Sequence, residues 1–225
     1  MSGLSSFRHL PGYLSPVRQG ELLGHIRSVL AEAPLYVPTM PRTGKPFSVR
    51  MSNCGPLGWV SDKAGGYRYQ AEHPGTGRPW PAMPRLLLEV WREVAGYPVP
   101  PEACLINYYA GGAKMGSHRD EDEADTQAPV VSVSLGDDAT FHIGGLQRAG
   151  PKRRLTLESG DVVVLGGEAR MAYHGIDRIH PGTSALLAEG GRLNLTLRRV
   201  TVPSPRLRGE GDASRAAGSR WQGAA

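Results

Sequence analysis

The segment GSHRDEDE, Gly116 to Glu123, sets one histidine and four acids around an arginine, just before the apolar run APVVSVSLG. In an extended chain alternate residues share a face, so His118, Asp120 and Asp122 point one way and Arg119 and Glu121 the other. An imidazole and a carboxylate two positions apart can reach one metal ion. A second histidine from a distant strand would complete the two-histidine, one-carboxylate set whose open positions suit oxygen chemistry. His174, in MAYHGI, is the best third ligand, with His142 and His180 as alternatives. Alone, the His-x-Asp pair fits a solvated loop or a salt-bridged strand end equally well. Glu123 and Asp125 read as such a solvated acidic loop.

A second stretch raises the metal reading. In RLNLTLR, Arg192, Asn194, Thr196 and Arg198 fall on one face of a strand, and Leu193, Leu195 and Leu197 on the other. With the leucines packed into a core, the polar face presents two guanidiniums with an amide and a hydroxyl between them. Guanidinium forks bind carboxylates bidentately and stay charged when desolvated, so this face suits a dicarboxylate. A half-exposed strand with a basic solvent face is the plainer alternative. The same alternation puts Asn107 and Tyr109 of NYY on one face.

Several elements must position these residues. Ser15-Pro16 reads as a helix start, and Leu22, Leu23, Ile26, Val29 and Leu30 recur at helical spacing until Pro34. A second helix is expected from about Arg85 to Val94, with Leu87, Val90, Trp91 and Val94 on one side. The Gly-, Pro- and aromatic-rich segment between them reads as short strands, turns and a surface lid. From Leu105 the runs LINYY, VVSVSLG, ATFHIGG, RLTLE, DVVVLGG, ARMAYHG and RLNLTLRRV read as short strands. Their spacing predicts a sandwich, jelly roll or barrel.

Composition bounds the rest. At 225 residues and 40% apolar content, the chain suits one well-filled domain. It has no apolar run of about 18 residues and no signal-type hydrophobic segment near its start, so the expected setting is the cytoplasm, without a membrane. Cys54 and Cys104 are too few for a disulfide framework and form no C-x-x-C pair, which predicts reduced thiols. A net charge of +5 and a pI of about 9.4 fit a polyanionic partner. Residues 201–225 supply +2 of that charge and lack hydrophobic periodicity, which predicts a basic, disordered tail. Neither a phosphate-loop ending nor a catalytic-serine motif is present.

The runs NYYAGGAKMGSHRDEDEADTQAPVVSVSLG, FHIGGLQRAGPKRRLTLESGDVVVLGGEARMAYHGI and GGRLNLTLRRV, with MSNCGPLGW and RPWPAMP upstream, resemble the bacterial AlkB proteins. Those are Fe(II)- and 2-oxoglutarate-dependent dioxygenases that repair alkylated nucleic acid. The likeness spans most of residues 40–200. It implies a mainly β fold with flanking α-helices: a double-stranded β-helix, or cupin-like jelly roll, under an N-terminal nucleotide-recognition lid. The implied division is helices and lid at 1–100, the catalytic core at 101–200 and the tail at 201–225. The resemblance makes His118, Asp120 and His174 the iron ligands, with O2 as second cosubstrate. Arg192 and Arg198 would hold the 2-oxoglutarate carboxylates, with Asn107, Tyr109 and Asn194 hydrogen-bonding around them. Trp59 and Tyr67 would hold a flipped base, Asp122 would contact it, and Arg148 would sit beside the pocket. Trp80 reads as structural, and Arg42 and Lys45 only as generic phosphate contacts.

The implied reaction is oxidative demethylation of 1-methyladenine or 3-methylcytosine in DNA, preferably single-stranded, with RNA as a second substrate and formaldehyde as product. A monomer is expected. The alternatives are the same chemistry on a protein or small molecule, and a non-catalytic nucleic-acid-binding module.

Overall fold

The computed structural model describes residues 6–204, so the expected tail beyond 204 lies outside the described residues. Helix α1 (Pro16–Glu32) begins as its residues dictate: the Ser15 hydroxyl accepts from the Arg18 backbone N–H at 3.4 Å, and Pro16 occupies the first turn. Helix α2 (Arg85–Val94) buries Leu86, Leu87, Val90, Trp91 and Val94.

Twelve strands follow in chain order: β1 (Phe7–Leu10), β2 (Arg50–Cys54), β3 (Gly58–Asp62), β4 (Gly66–Gln70), β5 (Ala103–Tyr109), β6 (Met115–His118), β7 (Val130–Gly136), β8 (Asp138–Ile143), β9 (Arg153–Leu157), β10 (Val162–Leu165), β11 (His174–His180) and β12 (Arg192–Arg198). They form a larger sheet, β1-β10-β7-β12-β5-β2, a smaller one, β6-β11-β8-β9, and the hairpin β3-β4. Every pairing is antiparallel. This is the expected jelly roll, mainly β with two flanking helices.

Side-chain alternation decides what each face meets. Leu193, Leu195 and Leu197 join Cys104, Ile106, Val131, Val133 and the residues of α1 and α2 in one core, on the helix side of the larger sheet. Leu105, Tyr109, Val130, Phe141, Leu157 and Val163 form a second core between the two sheets. Arg192, Asn194, Thr196 and Arg198 therefore face the inter-sheet space, as expected from their alternation. Full burial of a leucine stabilises by about 1.5–3 kcal/mol, and a one-residue slip of β12 would turn all three leucines into that polar space.

Three departures from the sequence reading have local causes. ARMAYHG is not a strand: Gly167–Met171 form a 3-10 turn, and β11 starts only at His174. Strands β1 and β6 carry too few alternating apolar residues to be read from sequence. The larger sheet also draws on both sides of residue 100, since β1 pairs with β10 and β2 with β5. Cys54 and Cys104 are free, buried register partners on β2 and β5. Among the described residues no helix is long and apolar enough to cross a membrane.

Candidate active site

Strand β6 delivers His118 as its last residue and β11 delivers His174 as its first, and the two are direct register partners with ring centroids 4.6 Å apart. Their closeness depends on Gly175. A Cβ there would lie 2.5 Å from the Met115 carbonyl oxygen and 2.9 Å from that of Gly116, so only glycine lets β6 approach β11 this closely. Asp120 follows β6 by two residues, and one ligand atom each from His118, Asp120 and His174 lie within 4.8 Å of one another.

The protonation pattern suits a metal. His118 Nδ1 lies 2.9 Å from the Gly116 carbonyl and His174 Nδ1 lies 2.9 Å from the Ala172 carbonyl. A carbonyl only accepts, so each Nδ1 carries a proton, the tautomer that in a neutral imidazole leaves the Nε2 lone pair for a metal. These face Asp120: His118 Nε2 stands 3.9 Å from Oδ1, and His174 Nε2 stands 3.7 Å from Oδ2. Asp120 Oδ2 is buried with no hydrogen-bond partner among the described residues, an orphan that a cation would satisfy. Burial pushes His174 down to about 4, against the pull of Asp120, so its imidazole is neutral at neutral pH. For Asp120, burial favours the neutral acid, but Arg198, His174, His118 and Arg170 outweigh it and hold the carboxyl below its usual range. The residues present fit a divalent metal.

The other histidines do not reach this point. His142 pairs in register with Gly175, hence on the opposite face of the smaller sheet from His174, and its Nδ1 meets Asp177 at 2.8 Å. His180 Nε2 is engaged by the Thr140 hydroxyl at 2.8 Å.

The two arginines of β12 differ. Arg198 lines the cavity above the triad, donating to Asp120 Oδ1 at 2.7 Å and to Glu123 Oε1 at 3.1 Å. Arg192 lies behind the wall, fully buried. Its Nη1 reaches the Asp137 and Leu157 carbonyls at 3.0 and 3.1 Å, and its Nη2 reaches Ser134 Oγ at 2.5 Å. Burial lowers Arg192 to about 10, which still leaves it cationic at neutral pH. The Nε atoms of both arginines and Asn107 Oδ1 have no partner among the described residues. Asn194 is spent locally, donating to Ser132 Oγ at 2.7 Å and accepting from Thr196 at 3.0 Å. Tyr109 is buried on the cavity wall. The free Nε of Arg198, on the cavity wall beside the triad, is a cationic donor that fits a carboxylate.

The cavity, about 350 Å³, opens past the β3-β4 hairpin. At its mouth Trp59 and Tyr67 stack on each other, centroids 5.5 Å apart and planes 23° from parallel, so one face of Trp59 is already covered. Trp59 Nε1 donates to Asp122 Oδ2 at 2.7 Å, and exposed Arg148 lines the rim from the loop between β8 and β9. Arg42 and Lys45 are exposed and lie off the cavity wall. Trp80 is buried, its Nε1 on the Gln70 carbonyl at 2.9 Å, as a structural residue should be.

The solvated reading of Glu123 and Asp125 is overturned: both are buried. Each has fixed donors that offset its desolvation. Glu123 accepts from the Tyr69 hydroxyl, from Arg170 at 2.8 Å and from Arg198 at 3.1 Å. Asp125 accepts from the Tyr97 hydroxyl at 2.6 Å and from the Gln127 N–H at 3.2 Å. Tyr69 and Arg170 were missed. Tyr69 was findable, being two residues from Tyr67 on the same face of β4. Arg170 had no such signal, because its turn read as a strand.

A jelly roll carrying a His-Asp-His triad beside a buried arginine fits an Fe(II)- and 2-oxoglutarate-dependent dioxygenase, and the model of the 2OG-Fe(II) oxygenase superfamily matches residues 6–198. The chain is 51% identical over 190 residues to the alpha-ketoglutarate-dependent dioxygenase AlkB homolog of Caulobacter vibrioides, covering 84% of this chain and 86% of that protein. It is 41% identical over 109 residues to the DNA N(6)-methyladenine demethylase ALKBH1C of Arabidopsis thaliana, covering 44% of this chain and 24% of that one. The solved structure of OsALKBH1 superposes with a TM-score of 0.75 at 28% identity, over 86% of this chain and 96% of that one. The chain belongs to the AlkB family.

Proposed function

We propose that this dioxygenase removes alkyl groups from base nitrogens of nucleic acid, with 1-methyladenine and 3-methylcytosine in single-stranded DNA as preferred substrates and RNA as a second. The observation that carries the reading is one cavity with unpartnered metal and carboxylate ligands inside and a tryptophan-carboxylate pair at its mouth. The demethylase named above acts on methylated DNA, which supports the substrate class. His118, Asp120 and His174 would hold Fe(II), which with O2 and 2-oxoglutarate, consumed to succinate and carbon dioxide, would supply the oxidising chemistry that converts a base N-methyl group to formaldehyde.

The chain's own residues do the rest. Arg198 and Asn107, on the cavity wall, bind and orient the cosubstrate carboxylates, with Tyr109 and Asn194 beside them, and Arg192, off that wall, acts only through its one unpartnered nitrogen, Nε. Apolar walls from Leu105, Val130, Phe141, Leu157 and Ile176 exclude water, which strengthens every ionic contact inside. A base must leave its stack to reach an enclosed site, and it docks on the face of Trp59 that Tyr67 leaves free. Methylation at adenine N1 or cytosine N3 makes the base cationic, and Asp122 favours that form over the neutral parent base. Arg148 steadies the strand at the rim.

The lid-bearing part (1–100), the core (101–200) that borrows β1 and β2 from it, a monomeric state and a cytoplasmic setting belong to the same reading. The test is anaerobic loading with Fe(II), then 2-oxoglutarate, O2 and oligonucleotides carrying either lesion. Loss of one methyl mass with matching formaldehyde is expected. Succinate formation with an unchanged strand would overturn the substrate, and no turnover at full iron occupancy would overturn the activity.

A further inference from the structure

Behind the metal ligands, four buried side chains close a ring. Arg170 donates from Nη1 to the main-chain carbonyl of Asp120 at 2.5 Å, from Nη2 to Glu123 Oε2 at 2.8 Å and from Nε to the Ala128 carbonyl at 3.0 Å. Glu123 Oε1 accepts from Arg198 Nη1 at 3.1 Å, and Arg198 Nη2 returns to Asp120 Oδ1 at 2.7 Å. Side-chain exposure is 2% for Arg170, 0% for Glu123, 8% for Arg198 and 4% for Asp120. Two acids alternate with two arginines, so the ring is electrically neutral before any ligand enters.

We propose that the Glu123–Arg170 pair positions the metal-binding carboxylate. It pins the Asp120 backbone directly and the Asp120 Oδ1 atom through Arg198, so that Asp120 meets the metal through Oδ2 alone. Buried ion pairs add little net stability over packed apolar groups, so stability alone is a weak reason for four buried charges here. Geometry is a better one. A carboxylate with both oxygens free can rotate or chelate with both, which would occupy a further position on the metal; with Oδ1 held, only Oδ2 is unpartnered. Arg198 is shared between Asp120 and Glu123, so it cannot follow Asp120 if the ligand swings, and its Nε stays free for the cosubstrate. Removing groups that orient metal ligands in this way typically costs about 10–100-fold in metal affinity.

The inference rests on Asp120 being a metal ligand, and its test separates the two claims. Mn(II) is titrated anaerobically into the metal-free protein without cosubstrate, alongside thermal melts. Asp120→Ala tests the ligand: parent-like Mn(II) binding by that variant overturns the site reading itself. Glu123→Gln and Arg170→Met are each expected to weaken Mn(II) binding by about 10–100-fold, and Arg170→Lys, which keeps the charge but cannot span both contacts, by less than Arg170→Met. The double variant Glu123→Gln/Arg170→Met restores neutrality and is expected to lose no more than the worse single variant. Single variants that melt lower yet bind Mn(II) within about twofold of the parent would show a merely structural pair. Independent, multiplying losses in the double variant would equally overturn the proposal. Glu123→Gln preserves volume and carries the test by itself if Arg170→Met does not fold.

Discussion

Gly175→Ala isolates the contact that brings together the two histidines of the proposed metal site. Its Cβ would meet the Met115 carbonyl oxygen at 2.5 Å, the Gly116 carbonyl oxygen at 2.9 Å and His142 Cε1 at 2.8 Å, where ordinary contact begins at 3.4 Å. Two of these neighbours are backbone and cannot rotate aside, so β6 must retreat by about 0.9 Å, the shortfall between 3.4 and 2.5 Å. Strand β6 is an edge strand of four residues held in its sheet by β11 alone, so it can retreat without unfolding the core. The stability loss is therefore expected at the low end of the overpacking range, about 1 kcal/mol. His118 moves with β6, away from His174 and Asp120. A misplacement of about 1 Å is worth roughly a hundredfold in rate. Urea melts, Mn(II) titration and turnover of a methylated oligonucleotide measure the three effects separately. A variant that binds Mn(II) and turns over like the parent refutes the close-approach argument, and one that loses activity only in proportion to unfolding refutes the link to His118.

Leu195→Ala, on the opposite face of β12 from the arginines and fully buried, should lose about 2–5 kcal/mol of stability while leaving the Mn(II) affinity of the folded protein unchanged. Asp122→Asn should lower the kcat/KM preference for a cationic over a neutral lesion by roughly fivefold, the worth of about 1 kcal/mol for a solvent-exposed charge; an equal fall for both lesions counts against a base-reading role. Burial holds the His142 pKa below its ordinary value despite Asp177, so its contribution to stability is full above about 6.5 and is lost as pH falls through the lower folded-state value. Urea melts between neutral and mildly acidic pH should show the parent losing more stability than His142→Gln, and parallel curves would remove His142 as the cause.

Patterns of period two and three to four, read in one dimension, determined much of this protein. Leucines alternating with polar residues from Arg192 to Arg198 specify both faces of β12 without reference to any other strand, and Ser15-Pro16 followed by spaced aliphatics specifies α1. His-x-Asp, the paired arginines and the motifs shared with AlkB proteins pointed to the metal and the dicarboxylate, because those groups are close in sequence or recur at motif spacing. Which distant histidine joins His118 was a different kind of question. The β6-β11 register, permitted by Gly175, brings His174 against His118, and the β8-β11 register turns His142 to the other face. Charge burial was equally invisible in sequence. Asp120, Asp122, Glu123 and Asp125 look alike along the chain, yet Glu123 is buried because Tyr69, Arg170 and Arg198 converge on it from three remote segments. Asp122 remains exposed at the rim, held by Trp59. The desolvation of a carboxylate is decided by the donors that surround it in space, and those are set by the fold.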